Sequence, residues 1–115
     1  MKHVDYKSVE LEHFPDPQSR GAGIRWLIGQ ADGAPNFSMR MIEIEPCGYS
    51  PCHSHQGEHE VFVWSGRGEL KIEGRTLPLV PGTAVFIPEE IEHQFVNSSD
   101  TGKLEFICVI PHKKQ

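Results

Sequence analysis

The chain has 115 residues, 37% of them hydrophobic, which is enough for one domain with a buried core and leaves no room for a second. Its formal charge is −5, from 11 basic and 16 acidic side chains, and its only basic cluster is "HKK" at 112–114. Phosphate binding needs a dense positive face, so no nucleic-acid partner is expected, and the two lysines of that tail read as a solvated end. No apolar run approaches the ~20 residues that span a bilayer, and the N-terminus carries no hydrophobic signal segment. A cytoplasmic protein without a membrane partner is the expectation.

Residues 1–20 carry the fewest structure signals and are expected to form an N-terminal arm or edge strand, with one β domain over 21–115. "FSMRMIEIE" (37–45) reads as a strand whose apolar phase switches near Met41 and Ile42, which predicts a bulge there. "PCGYSP" follows as a turn signal. "VFVW" (61–64) reads as a strand, and "ELKIE" (69–73) alternates with Leu70 and Ile72 on one face. Glu73 and Gly74 then offer a tight turn into "RTLPLV". "TAVFIP" (83–88), "HQFVN" (93–97) and "LEFICVI" (104–110) complete the set of short strands. Eleven glycines and nine prolines, spread throughout, would break any long helix. This pattern predicts an all-β sandwich or barrel. Cys47, Cys52 and Cys108 read as free thiols, because the number is odd and the spacing matches no common zinc knuckle.

The chemistry concentrates in "HSHQGEHE" (53–60). Of seven histidines, His3, His13 and His112 lie near the ends among polar residues and are assigned to the surface. His53 and His55 are two apart, so on an extended strand their rings point the same way. His59 follows just before the apolar "VFVW", and His93 opens a later strand. Imidazole is neutral at cellular pH and is the commonest metal-binding side chain. Three or four such rings converging inside a barrel suit a divalent transition metal. The plain alternative for the short stretch alone is a polar loop without a ligand role.

Two motifs, read together, resemble those of the cupin family. The first runs from Gly48 through His53, His55 and His59 to Gly66; the second is Pro88, Glu90, His93 and Asn97. The resemblance covers residues 37–110 and implies a single-domain double-stranded β-helix, or jelly-roll, barrel. Three departures stand out. Four residues, one fewer than usual, separate Gly48 from His53. Glu90 replaces the second motif's glycine, the residue freest to turn. The position usually held by a glutamate is contested between His59 and Glu60. His59 satisfies the spacing to both His55 and Gly66, and an inward His59 puts Val61 and Val63 inward too. Phe62 and Trp64 then share the face of Glu60. "APNFSMRMIEIEPCG", "HEVFV" and "LEFICVIP" look like stretches of small four-histidine cupins that bind manganese.

The resemblance implies His53, His55, His59 and His93 as metal ligands, with Glu60 as the substitute ligand, or alongside Glu58 as a partner of a ligating ring. Manganese comes first, then iron, then nickel, with no organic cofactor; four imidazoles alone would suit several of these ions. Arg40, Phe106, Cys108 and Ile110 are expected to line the pocket. Arg40 either binds an anionic substrate or is a solvated rim residue, and Trp26 and Trp64 read as packing or interface residues. The function implied is a metal-dependent oxidoreductase, of the dioxygenase or peroxide-using type, acting on a small organic molecule. The alternative is a non-catalytic module that binds or senses a small molecule with the metal as anchor. Cupins are commonly dimers, which implies a homodimer here.

Overall fold

The computed structural model describes residues 1–112; Lys113 and Lys114 of the basic tail lie outside them. Helix among the described residues is limited to two 3-10 turns, Tyr6–Ser8 and Gln30–Asp32. Nine strands make up the rest: β1 (Glu12–His13), β2 (Arg20–Ile28), β3 (Phe37–Tyr49), β4 (His59–Ser65), β5 (Gly68–Ile72), β6 (Arg75–Leu79), β7 (Ala84–Ile87), β8 (His93–Val96) and β9 (Leu104–Pro111). Among the described residues no helix is long and apolar enough to cross a membrane.

All strands pair antiparallel in one sheet, ordered β6-β5-β8-β3-β9-β4-β7, with β2 and then β1 added along β3. The long β3 is its spine. Residues 37–44 of β3 pair with β9, while Tyr49 at its far end reaches Val96 of β8. The sheet curls so that its inner faces meet over one apolar core. That core includes Ile42 and Ile44 of β3, Val61 and Val63 of β4, Leu70 of β5, Phe95 of β8 and Phe106 of β9. Phe95 and Phe106 stack across it with ring centroids 4.4 Å apart. Each such side chain taken fully out of water contributes about 1.5–3 kcal/mol.

Strand alternation decides what reaches the interior. In β4, His59, Val61 and Val63 are buried and Glu60, Phe62 and Trp64 are exposed. In β9, Leu104, Phe106 and Cys108 are buried between half-buried neighbours. The β5–β6 hairpin closes through Glu73 and Gly74, both at positive φ (52° and 72°), which matches the twist of a two-residue turn.

Three expectations need correction. The phase switch at Met41 and Ile42 is not a bulge: β3 keeps an unbroken register with β9 from Phe37 to Ile44. Both faces of β3 are buried from Arg40 to Ile44, which blurs the alternation. Of two register shifts between β2 and β3, one puts an extra residue, Leu27, on β2 opposite Met39 and Arg40; the irregularity of β3 itself falls later, where Arg20 pairs Tyr49 but Ala22 pairs Ile44. The extra β3 residues include Cys47 at φ 62° and Gly48, where a Cβ would lie 2.4 Å from the Arg20 carbonyl oxygen. "PCGY" is thus part of β3 rather than a turn. Second, β2 has no counterpart among the expected strands, because Gly21 and Gly23 dilute its alternation. Gly23 lets Leu11 pack close, since a Cβ there would come within 2.7 Å of that side chain. Third, His112 is half-buried, with Nε2 at 2.7 Å from Ser38 Oγ, because β9 runs on alongside the start of β3.

Asn97, the last residue of the second motif, is 1% exposed. Its Nδ2 donates to the carbonyls of Ile44 (2.9 Å) and Gly102 (2.8 Å), and its Oδ1 accepts from Ser99 N–H (2.9 Å). It therefore ties the end of β8 to the β3 bulge and to the β8–β9 connection. Asn97→Ala leaves buried carbonyls without donors and is expected to lower stability by about 2–4 kcal/mol. Urea unfolding monitored by circular dichroism measures this; a loss well under 1 kcal/mol would contradict the role.

Candidate metal centre

The segment from Ser50 to Glu58 that carries His53 and His55 is not a regular strand. It is held by backbone bonds instead. His53 and His93 exchange two N–H···O bonds of 3.2 and 3.0 Å, an isolated antiparallel bridge that puts their side chains on one face. The His55 carbonyl accepts from Glu90 N–H at 2.8 Å, and Gly57 N–H donates to Glu89 Oε2 at 3.0 Å. Glu90 has φ 67°, so the turn keeps its glycine-like conformation without the glycine. The bonds to His55 and Gly57 hold that strained turn against the histidine loop.

The consequence is convergence. One nitrogen each from His53, His55 and His93 lies within 4.8 Å of the other two. His59 stands outside that trio but joins it through His55, with the two Nε2 atoms 2.8 Å apart. Ring centroids are 4.9 Å apart for His53–His55, 5.4 Å for His53–His93, 5.3 Å for His55–His93, 4.5 Å for His55–His59 and 5.3 Å for His59–His93. His55 and His93 thus form the middle of the group, flanked by His53 and His59. Glu60 is exposed on the opposite face of β4, so the structure does not bring this alternative ligand to the rings.

The partners of the other ring nitrogens orient the group. His93 Nδ1 donates to the Ile91 carbonyl at 2.8 Å and His55 Nδ1 to that of Gln56 at 3.1 Å, which leaves a bare Nε2 on each ring. His59 Nδ1 lies 2.9 Å from Cys108 Sγ, and Arg40 Nη2 donates to the same sulfur at 3.1 Å. The orienting groups are therefore two carbonyls and a thiol, not Glu58 or Glu60. Cys108 gives His59 two consistent settings. If the thiol donates to Nδ1, His59 Nε2–H donates to His55. If His59 Nδ1–H donates to sulfur, both Nε2 lone pairs face one point, where the two rings could hold a cation.

Electrostatics disfavour a charge on three of the four rings. Burial, then the charge of Arg40, hold the His59 pKa down to about 3. Burial also lowers His93, against the raising effect of the Ile91 carbonyl, and lowers His53, where His55 is the next cause. Burial pushes the Cys108 thiol up, with Arg40 opposing, so sulfur stays protonated at neutral pH. Neutral imidazoles are what a metal requires.

Phe95 sits edge-on beneath His93 at 5.9 Å and stacks on Phe106, which gives the site an apolar floor. Ile110 is half-buried against the core. Arg40 is buried, not on a solvated rim, and lies over the Trp26 ring at 5.5 Å, its cross-strand neighbour on β2. Trp26 is a packing residue as its type suggests, but its place over Arg40 follows only from the pairing of β2 with β3, and the Ile91 and Gln56 carbonyls leave no mark in side-chain identity.

The depressed histidines make metal-free stability depend on pH. The unfolded chain takes up a proton on His59 near pH 6.5, while the folded chain resists down to about pH 3. Stability from this residue is complete above pH 6.5 and falls as pH drops towards 3, by up to about 1.4 kcal/mol per pH unit. Urea titrations of metal-free protein from pH 7 to 4.5 should show that slope, and His59→Gln should flatten it. An unchanged slope in the variant would mean that His59 titrates normally.

The chain has relatives among known proteins. The chain resembles the solved polyketide cyclase RemF from Streptomyces resistomycificus, with a TM-score of 0.92 and 35% identity over 98% of this chain and 80% of that one. It is 28% identical to the polyketide synthase CurC of Streptomyces cyaneus over 102 residues, which is 87% of this chain and 66% of CurC. It is 26% identical to protein SchB of Streptomyces halstedii over 102 residues, covering 87% of this chain and 74% of SchB. The chain thus spans just under two thirds of CurC. A model of the cupin domain matches residues 40–110, the stretch from Arg40 on β3 to the last inward residues of β9. The chain belongs to the cupin domain family.

Proposed function

We propose that this protein is a metal-dependent cupin enzyme acting on a small oxygen-bearing molecule of the polyketide type. The observation that carries the proposal is the cluster of His53, His55, His59 and His93, with rings gathered at one place over an apolar floor. The likeness to RemF over nearly the whole chain supplies the substrate type. The four histidines would hold a divalent ion, with manganese ahead of iron and nickel because the motifs resemble those of the manganese-binding four-histidine proteins. No organic cofactor is part of the proposal. A divalent ion there would supply Lewis-acid polarisation of a carbonyl or enol oxygen.

The chain's own residues do the rest. The Ile91 and Gln56 carbonyls hold Nδ1 of His93 and His55, and Cys108 Sγ contacts Nδ1 of His59, so these three rings turn Nε2 towards the centre. Phe95 and Phe106 keep the floor dry, which strengthens every charge interaction above it. Arg40 adds a fixed positive charge beside His59. Cyclisation of a substrate carrying neighbouring carbonyls is the reaction this favours.

The same donor set favours a second reading, an oxidoreductase that uses dioxygen or peroxide. With Glu60 on the outer face, no carboxylate stabilises a higher oxidation state, so a redox-active ion held here would be strongly oxidising.

Elemental analysis and X-ray absorption on untagged protein test the centre first. Near-stoichiometric manganese or iron bound by imidazole nitrogens is the expected result, with binding weakened at least tenfold in His93→Ala; zinc in a closed shell would argue for a structural role. Incubating the loaded protein with a poly-β-ketone then separates the readings. A product of unchanged oxidation level supports cyclisation, consumption of oxidant supports the oxidoreductase, and ligand returned unchanged supports a binding module.

We also propose a homodimer. Phe62 and Trp64 of β4 and Phe86 of β7 are exposed on the outer side of the sheet, with Phe86 opposite Glu60 and so diagonal to Phe62. Aromatic residues grouped in this way suit an interface. Sedimentation should give a dimer for the native protein at micromolar concentration and a monomer for Trp64→Glu; a native monomer would rule out the dimer.

A further inference from the structure

Arg40 is the buried charge that the fold leaves uncompensated. It is 9% exposed. Its only hydrogen-bond acceptor among the described residues is the Cys108 sulfur, a weak one, and Nε is buried with no partner at all. No carboxylate forms an ion pair with it among the described residues. The contrast is Glu43, three residues along the same strand. It is also buried, but it is paired with both Arg25 and Lys103. Burying a lone charge is strongly unfavourable, so such a group gains from any anion that reaches it.

Its position matters as much as its charge. Cys108 Sγ links Arg40 Nη2, at 3.1 Å, to His59 Nδ1, at 2.9 Å, so the guanidinium lies within about 6 Å of that ring. Trp26 covers one face of the guanidinium and limits its movement. A molecule with one oxygen at the histidine centre would therefore need only a short reach to bring a second oxygen to Arg40. We infer that Arg40 is the anion-binding residue of this site and that the substrate is a small organic anion. Its carboxylate or enolate oxygen would stand a few bonds from a second oxygen donor, as in a β-keto acid. The inference rests on the metal-centre reading for the second oxygen but not for the anion.

The test compares acetoacetate with its neutral isostere acetoacetamide, each titrated into 15N-labelled protein, metal-free and zinc-loaded. The readouts are the dissociation constants and the Arg40 Nε–H resonance. Acetoacetate is expected to bind at least tenfold tighter than acetoacetamide and to shift that resonance. Arg40→Gln should abolish the preference while zinc stoichiometry is retained, and Arg40→Lys should keep part of it. Equal binding of the two probes, or an undiminished preference in Arg40→Gln, overturns the inference. If Arg40→Gln does not fold, the probe comparison in the native protein and in Arg40→Lys decides alone. A native protein that takes up no zinc overturns the metal reading only, and the Arg40 inference is then decided by the same two probes in metal-free protein.

Discussion

Four imidazoles in mutual contact can share an interior only if they stay uncharged. This requirement governs the site. Desolvation drives His59, His93 and His53 towards the neutral form, and the positive charge of Arg40 pushes His59 further. The carbonyls of Ile91 and Gln56 then take the one remaining ring proton of His93 and His55, which turns the lone pairs inward. A surface cluster of the same residues would be wet and only partly deprotonated near pH 6.5, and would bind a metal less well. The barrel favours neutral rings at His53, His59 and His93 by drying them.

The backbone delivers the rings by three routes. His59 is placed by the simple alternation of β4, which puts Val61 and Val63 beneath it in the core. His93 opens β8 and pairs with His53, so one bridge fixes two of the rings at once. His55 hangs on a loop held by the Glu90 amide, in a turn with glycine-like conformation that no glycine relieves. The loop is the least regular of these supports, and the Asn97 side chain anchors β8 from its other end.

The same alternation divides the protein's chemistry between two sides of one sheet. On the inside, His59 and Cys108 meet Arg40. On the outside, Phe62, Trp64 and Phe86 form an apolar band. Moving the register of β4 by one residue would exchange these faces and put Glu60 where His59 stands. The choice between histidine and glutamate at that position is therefore a matter of strand phase.

Much of this was already in the sequence. The β class followed from period-two runs and turn residues, and the inward phase of β4 followed from Val61 and Val63, because strand alternation is strictly local. The grouping of His53, His55, His59 and His93 was legible from two motifs read together, although the segment around His55 is not the strand that spacing alone suggests. Tertiary structure decided what depends on residues far apart in the chain. Burial of Arg40, its contact with Cys108, the carbonyls that orient His55 and His93, and the shift of the bulge to residues 45–48 all arise where strands meet. A residue's charge is written in the sequence, but whether that charge is compensated depends on neighbours that only the folded sheet brings within reach.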